Sequence, residues 1–137
     1  MRVAIDTSAL LQRYLPGKAR NFVINEMANA SECVATGLVK TEVLLALHHG
    51  ATSLSHYESV SSVFRSEWES FYVVPIDSMS LNLAAQFGSR FGLPLVDSIH
   101  LAALDRIPRP CKYLTFNSGQ VTAAMELNFE VVEIDIS

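Results

Sequence analysis

Short apolar runs alternate with longer amphipathic segments along this chain. The runs are rich in β-branched and aromatic residues, which is typical of buried strands, and they lie at residues 2–5, 33–36, 71–76, 112–116 and 130–136. The segments between them have apolar residues at helical spacing and predict helices over residues 7–14, 19–29, 38–49, 55–70, 78–91, 95–107 and 121–127. Strands that alternate with helices predict an α/β domain of three α/β/α layers around a parallel sheet.

Glycine and proline residues mark most of the predicted helix boundaries. Pro16 and Gly17 close the first helix, and Gly50 is predicted to end the helix over residues 38–49 as a C-terminal glycine. Asp77 directly precedes the helix over residues 78–91, where an aspartate is a favoured N-cap. We therefore interpret Asp77 as a structural capping residue.

Length and composition indicate one folded domain over residues 1–137. Half of the 137 residues are apolar and 18% are charged, which excludes a disordered chain. No apolar run reaches the length of roughly 18 residues that a membrane span needs. The first residues show neither a basic region nor a cleavage site of a signal peptide, so we expect a cytoplasmic protein without membrane association.

The charge balance limits the ways in which the chain can bind nucleic acid. Ten lysines and arginines against fourteen acids give a net charge of −4, which argues against binding over the whole surface. Bound cations can nevertheless reverse the sign of a local site. Cys33 and Cys111 lack metal-binding spacing and are expected to be small buried residues. The phosphate-binding and serine-hydrolase motifs are also absent from the sequence.

Two polar residues are predicted at the same edge of the sheet. Asp6 follows the strand over residues 2–5, and Asn117 follows the strand over residues 112–116. Ligands of parallel sheets bind beyond the carboxyl ends of the strands, which is where both residues would lie. Asp6 has the alternative role of an N-cap.

Two further acids lie on helices that are apolar on nearly every side. Glu42 is placed on the helix over residues 38–49 and Asp97 in the first turn of the helix over residues 95–107. A carboxylate buried there is unfavourable unless it is paired, neutralised or bound to a metal ion. The alternatives are a buried salt bridge or a rim position for Glu42, and a helix N-terminal acid for Asp97. His100 follows on the same helix and is interpreted as a packed or surface residue, not a ligand.

Four segments in register resemble the PIN domain, and specifically the VapC-type toxin ribonucleases of toxin–antitoxin pairs. They are VAIDTSAL, TEVLLAL, LPLVDSIHLAA and LTFN, at residues 3–10, 41–47, 93–103 and 114–117. The resemblance implies a central parallel sheet of about five strands and an acidic pocket that binds Mg²⁺ or Mn²⁺. It also implies endonucleolytic cleavage of RNA, a cognate antitoxin as a partner, and a homodimer.

Residue by residue, Asp6, Glu42 and Asp97 match the three acids that form the metal site and catalytic centre of the family. Asn117 stands where the family commonly has a fourth aspartate. An amide oxygen can bind Mg²⁺ but carries no charge, so a mechanism with two metal ions is in doubt. Ser8 and Thr115 are expected to hydrogen-bond the metal ligands from behind.

Three functions remain open at this point. The first is a metal-dependent endoribonuclease, the toxin of a type II pair, in which RNA contacts come from nearby basic residues. The second is a PIN-fold interaction module with a weakened metal site, which the asparagine at position 117 supports. The third is a phosphatase-like hydrolase with Asp6 as the nucleophile, where Ser8 occupies the place of the expected second acid. The basic candidates for RNA contacts are Arg13, Lys18, Arg20, Lys40 and Arg90.

Overall fold

The computed structural model describes residues 1–133 and contains a five-stranded parallel sheet. The order across the sheet is β3-β2-β1-β4-β5. The strands are β1 (Arg2–Ile5), β2 (Cys33–Thr36), β3 (Tyr72–Val74), β4 (Cys111–Thr115) and β5 (Glu130–Glu133). The first strand in the chain is therefore the central strand of the sheet, and the chain reverses its direction of travel across the sheet after β3.

Helices cover both faces of this sheet. They are α1 (Thr7–Leu10), α2 (Arg20–Ala28), α3 (Gly37–Gly50), α4 (Leu54–Trp68), α5 (Ser78–Phe91), α6 (Leu95–Leu104) and α7 (Ser118–Glu126). A 3-10 turn over Leu11–Arg13 continues α1. Within residues 1–133, no helix has the length and apolar character to cross a membrane.

The core consists of two apolar layers, one on each side of the sheet. In β1, Val3 and Ile5 face the layer formed with α1 to α4, whereas Ala4 faces the layer formed with α5 to α7. This alternation follows from the two-residue period of a strand whose faces are both covered. The three-layer α/β/α architecture with a parallel five-stranded sheet, predicted from the sequence and from the PIN resemblance, is confirmed.

Strand register brings the ends of the central strands together. Ile5 of β1 is in register with Leu114 of β4, and the Asp6 amide donates to the Leu114 carbonyl at 3.2 Å. Asp6 and Thr115 therefore follow paired residues at one edge of the sheet. Thr36 ends β2 at the same edge, because all strands run in one direction.

Three predicted helix boundaries were wrong. Gly50 lies inside α3, whose C-cap is Ala51 in an extended conformation, so Gly50 is not a C-terminal glycine. Helix α6 ends at Leu104 rather than at residue 107. Helix α7 begins at Ser118 rather than at residue 121, because the Asn117 side chain accepts a hydrogen bond from the Gly119 amide at 3.0 Å and caps it. The predicted strand residues 134–136 lie outside the described residues.

The interpretation of Asp77 as a capping residue agrees with the structure. Its carboxylate accepts from the Ser80 amide at 2.9 Å and is paired with Arg106 at 2.8 Å. Cys33 is half-buried and Cys111 is buried, and both are free thiols. Neither cysteine takes part in the site described below.

The expectation of burial on nearly every side was wrong for α3 and for the first two residues of α6, whereas α6 has no exposed residue from Asp97 to Leu104. Helix α3 buries only the stripe of Val39, Val43 and Leu47, while Leu45 is 60% exposed. Leu95, in the first turn of α6, is 73% exposed. The apolar composition of these helices therefore exceeds what the core of this chain covers.

Gly92 is predicted to be required for the turn that leads into α6. It caps α5 with φ 66° and ψ 35°, and a Cβ there would have no neighbour within 4 Å. The penalty of Gly92→Ala is therefore conformational rather than steric, and we expect it to lower the free energy of unfolding by about 1 kcal/mol. Urea denaturation measures this change. Gly92→Asn should lose less stability than Gly92→Ala, because asparagine tolerates a left-handed backbone. Equal free energies of unfolding for wild type and both variants would contradict the explanation.

Candidate active site

A pocket of about 230 Å³ lies at the carboxyl edge of the sheet. Polar side chains from four helices and two strand ends line it: Asp6, Thr7, Ser8, Glu42, Asp97, His100, Asn117 and Gln120. The structure thus brings the three predicted acids and Asn117 together in one pocket. It adds three residues that the sequence analysis did not assign to the site: Thr7, His100 and Gln120.

Asp6 is the deepest acid of the pocket and is 4% exposed. Its Oδ1 accepts hydrogen bonds from the Ser8 hydroxyl at 2.7 Å and from the Ala9 amide at 2.9 Å. Its Oδ2 accepts from the hydroxyl of Thr115. Asp6 is therefore the N-cap of α1 and also a wall of the pocket, so the capping alternative and the site prediction describe the same side chain.

Burial leaves the charge of Asp6 incompletely compensated. Desolvation raises the pKa of Asp6 above its ordinary value, although the Thr115, Ser8 and Ala9 hydrogen bonds act to lower it. The hydroxyls of Ser8 and Thr115 thus donate hydrogen bonds to Asp6, as the sequence analysis expected. Their neutral dipoles do not offset the loss of water around the carboxylate.

The Ser8 and Thr115 hydroxyls are themselves held by the loop after β4. Ser8 accepts from the Phe116 amide at 3.0 Å, and Thr115 accepts from the Asn117 amide at 2.9 Å. Each hydroxyl therefore donates a hydrogen bond to Asp6, while its oxygen accepts one from a backbone amide. This arrangement locks the ends of β1 and β4 together across the sheet.

Glu42 projects from α3 at the rim of the pocket, with its side chain 35% exposed. Its Oε1 accepts from the Thr7 hydroxyl at 2.7 Å and lies 2.6 Å from Nε2 of His100. These contacts, led by the His100 hydrogen bond, lower the pKa of Glu42 despite partial burial. The rim alternative for Glu42 agrees with this position, and Glu42 stays ionised at neutral pH.

His100 is buried at 4% exposure and joins α6 to both Glu42 and β2. Its Nδ1 lies 2.7 Å from the hydroxyl oxygen of Thr36. A neutral ring with its proton on Nε2 satisfies every group, because Nε2 donates to Glu42 and Nδ1 accepts from Thr36. The interpretation of His100 as a packed residue agrees with its burial, but the sequence analysis missed its contact with Glu42. Its position three residues after Asp97 was the only signal in the sequence.

Asp97 receives two amide donors on a single oxygen. Nδ2 of Asn117 lies 3.2 Å and Nε2 of Gln120 lies 2.8 Å from Oδ1 of Asp97. The carboxylate also sits in the first turn of α6, where the helix dipole favours negative charge. Asn117 therefore contacts the site through its amide nitrogen, because its amide oxygen caps α7.

The donor set fits a hard divalent cation. No lysine or arginine of the described residues pairs with any of the three acids, and oxygen ligands suit Mg²⁺ or Mn²⁺. Among residues 1–132, no donor reaches Oε2 of Glu42 or Oδ2 of Asp97. Within the described chain, no three acid, histidine or cysteine side chains are close enough to hold an ion between them as they stand.

The five basic residues considered for RNA contacts differ in whether they already form ion pairs within the protein. Arg13 is bound to Glu67 through two nitrogens, and Arg90 lies 3.5 Å from Glu126. In the described part of the chain, the remaining three have no ion pair with a carboxylate: Lys18, Arg20 and Lys40. These three are therefore the more available cations.

The opposite pKa shifts of Asp6 and Glu42 predict opposite effects when each acid is neutralised. Burial makes the charge of Asp6 unfavourable in the folded state, so Asp6→Asn should raise the melting temperature of the metal-free protein at pH 7. Hydrogen bonds make the charge of Glu42 favourable, so Glu42→Gln should lower it. Thermal unfolding in a chelating buffer, followed by circular dichroism, measures both signs.

Both differences should shrink as the pH falls. The destabilisation from Asp6 is present above its raised folded-state pKa and disappears as the pH drops through that value towards the ordinary one. The stabilisation from Glu42 is present above its ordinary pKa and is lost as the pH drops through the lowered one. An Asp6→Asn variant less stable than wild type at pH 7 would show that the carboxylate is fully compensated.

Comparison with known proteins rests on structure, since no family model and no curated protein matches the sequence. A chain of a toxin–antitoxin complex from Klebsiella pneumoniae superimposes with a TM-score of 0.71 at 15% identity, covering 96% of this chain and 99% of that one. A chain of VapBC2 from Rickettsia felis, solved with a promoter DNA fragment, gives 0.69 at 9% identity over 98% and 100%. A chain of FitAB bound to a DNA fragment gives 0.74 at 14% identity over 96% and 94%. This chain therefore has the PIN-like fold of these toxin–antitoxin proteins over nearly its whole length.

Proposed function

We propose that the chain is a divalent-metal-dependent endoribonuclease and the toxin of a type II toxin–antitoxin pair. The observation that carries this proposal is the meeting of Asp6, Glu42 and Asp97 in one pocket without a lysine or arginine partner. The fold, shared with chains of toxin–antitoxin complexes, supports the same function. A bound Mg²⁺ or Mn²⁺ would supply the missing positive charge.

Each acid has a separate part in this proposal. Glu42 and Asp97 would hold the cation through the oxygens that receive no donor among residues 1–132. Asp6, both of whose oxygens are bonded to the protein, would complete the set of three acids. When bound, the metal ion activates water and stabilises charge on the phosphoryl oxygens of RNA. The ionised carboxylates also provide acceptors for the proton of the attacking water.

The chain's own hydrogen bonds keep these acids in place during the reaction. Thr7 and His100 hold Glu42, while Thr115 and Ser8 hold Asp6. The three hydroxyl donors are neutral, so they orient the carboxylates without cancelling their charge. The pocket therefore keeps the negative potential that attracts a cation.

We further propose an antitoxin partner, a homodimer and a cytoplasmic location. The structural relatives are toxin–antitoxin complexes, which supports the first of these. Leu45 and Leu95 are exposed apolar residues on the helices that carry Glu42 and Asp97, and a second copy would cover such side chains. RNA would be recognised locally, since the net charge is −4.

Cleavage of RNA is expected to require Asp97 and a divalent ion. Purified wild type is incubated with a pool of structured cellular RNAs in Mg²⁺ or Mn²⁺, and cleavage sites are mapped by sequencing of the new ends. Asp97→Asn should abolish the cleavage, because the oxygen available to the cation loses its charge. Asp105→Asn is the matched control: Asp105 caps the other end of α6 and is paired with Arg109.

The possible results separate the functions that the sequence left open. Equal cleavage by wild type and Asp97→Asn would identify a contaminating nuclease and refute the proposal. Metal binding without cleavage by wild type would favour the interaction module. Loss of cleavage in Asp97→Asn but not in Asp105→Asn, with steep inhibition by salt, is the result expected of an endoribonuclease that contacts several phosphates.

Asn117→Asp is expected to tighten divalent binding and to destabilise the metal-free protein. The new carboxylate can keep the cap on Gly119, but it removes an amide donor from Asp97 and places a like charge there. We expect Mn²⁺ affinity to rise about tenfold, as measured by titration calorimetry. Asn117→Ser, which also caps a helix but adds no charge, should not tighten binding. An unchanged affinity in Asn117→Asp would remove this residue from the site.

A further inference from the structure

A buried chain of hydrogen bonds leads from the sheet core to Asp97. The Tyr113 hydroxyl donates to the carbonyl oxygen of the Gln120 side chain, and Nε2 of Gln120 donates to Oδ1 of Asp97 at 2.8 Å. Tyr113 is completely buried in β4, and Gln120 is 2% exposed in α7. A glutamine in an apolar core is unfavourable unless both ends of its amide are bonded, and here both ends are.

The direction of this chain is set by the carboxylate at its end. If the Gln120 amide were turned over, its oxygen would face Oδ1 of Asp97 and two acceptors would oppose each other. Tyr113 stays protonated, because burial and the nearby acids raise its pKa well above the ordinary value. The hydroxyl can therefore donate to the glutamine at neutral pH, where the acids are ionised.

Asn117 places a second amide donor on the same oxygen of Asp97. Its amide orientation is fixed in turn, since Oδ1 of Asn117 accepts from the Gly119 backbone. Both donors therefore engage Oδ1 of Asp97, and Oδ2 receives no donor among residues 1–132. The two oxygens of this carboxylate therefore differ: Oδ1 accepts two hydrogen bonds from the protein, and Oδ2 is left for another ligand.

We propose that Gln120, held in orientation by Tyr113, is a positioning residue that fixes Asp97 with Oδ1 bound to the protein and Oδ2 directed at the cation. This proposal rests on the proposed metal-dependent function. It adds that Asp97 binds the cation through one oxygen, and that part of the metal affinity originates from a tyrosine in the sheet core. Neither Gln120 nor Tyr113 touches the reacting atoms.

The test compares Gln120→Met, which keeps the length of the side chain without its amide, with Tyr113→Phe, which removes only the hydroxyl. Mn²⁺ affinity of each folded variant is measured by calorimetry well below its melting temperature. Gln120→Met should weaken binding about tenfold, in the range found when groups behind a metal ligand are removed. Tyr113→Phe should weaken it less, and the double variant should be no worse than Gln120→Met alone, because the two groups act in series.

A control separates positioning from loss of stability. Ser80→Ala removes another buried polar contact, to Asp77 and Arg106, far in the chain from the site residues. It should lower the melting temperature and leave Mn²⁺ affinity unchanged. Wild-type affinity in Gln120→Met and Tyr113→Phe, or additive losses in the double variant, would overturn the proposal.

Crystal structures of metal-free wild type and Gln120→Met distinguish failure of this proposal from failure of the proposed function. Asp97 should change its side-chain torsions in the variant, because only Asn117 remains to hold it. An Asp97 that keeps its position overturns the positioning role whether or not wild type binds Mn²⁺. If Asp97 moves but wild type binds no divalent ion, the positioning role stands and the nuclease function is refuted.

Discussion

The buried carboxylate of Asp6, at the end of the central strand, is the constraint on which the rest of the site depends. Every strand crosses the sheet in one direction, so the polar ends of β1, β2 and β4 meet at one edge. Asp6 accepts hydrogen bonds from Ser8, Ala9 and Thr115, yet burial still raises its pKa. An anion in this position is maintained at a cost in stability, which is characteristic of a functional site rather than of a structural cap.

The protein treats the acids of the pocket differently from its other acids. Asp77 and Glu67 are paired with Arg106 and Arg13, whereas the acids of the pocket are held by hydroxyls, amides and a histidine. Neutral donors fix the direction of a carboxylate without neutralising it, so the site combines rigidity with uncompensated negative charge. This imbalance is the physical basis of the proposed divalent-cation site.

Asn117 shows how one substitution changes the logic of the pocket. An aspartate there would add a negative charge to the pocket. The asparagine instead uses its amide oxygen to cap α7 and its amide nitrogen to donate to Asp97. Together with Gln120, it makes Asp97 an acceptor of two neutral donors. For the proposed metal function, this arrangement favours one cation over two, because Asn117 adds no charge.

The sequence was sufficient to predict the parallel α/β architecture, because alternating strands and helices with both faces apolar allow few other arrangements. It also determined that Asp6, Glu42, Asp97 and Asn117 lie at one edge, since strand ends and a four-segment motif mark them. It overestimated burial, as exposed Leu45 shows, because periodicity measures the apolar faces of a helix and not what covers them.

The contacts that hold the acids depend on the tertiary structure and could not be predicted from the sequence. The bond between His100 and Glu42 joins residues 58 apart in the chain, and that between Gln120 and Asp97 joins residues 23 apart. The sequence around a buried polar residue does not reveal its hydrogen-bond partner, which can be a backbone group or an acid of the site. The partner is set by how α6 and α7 pack over the sheet, which is a property of three dimensions that no local spacing encodes.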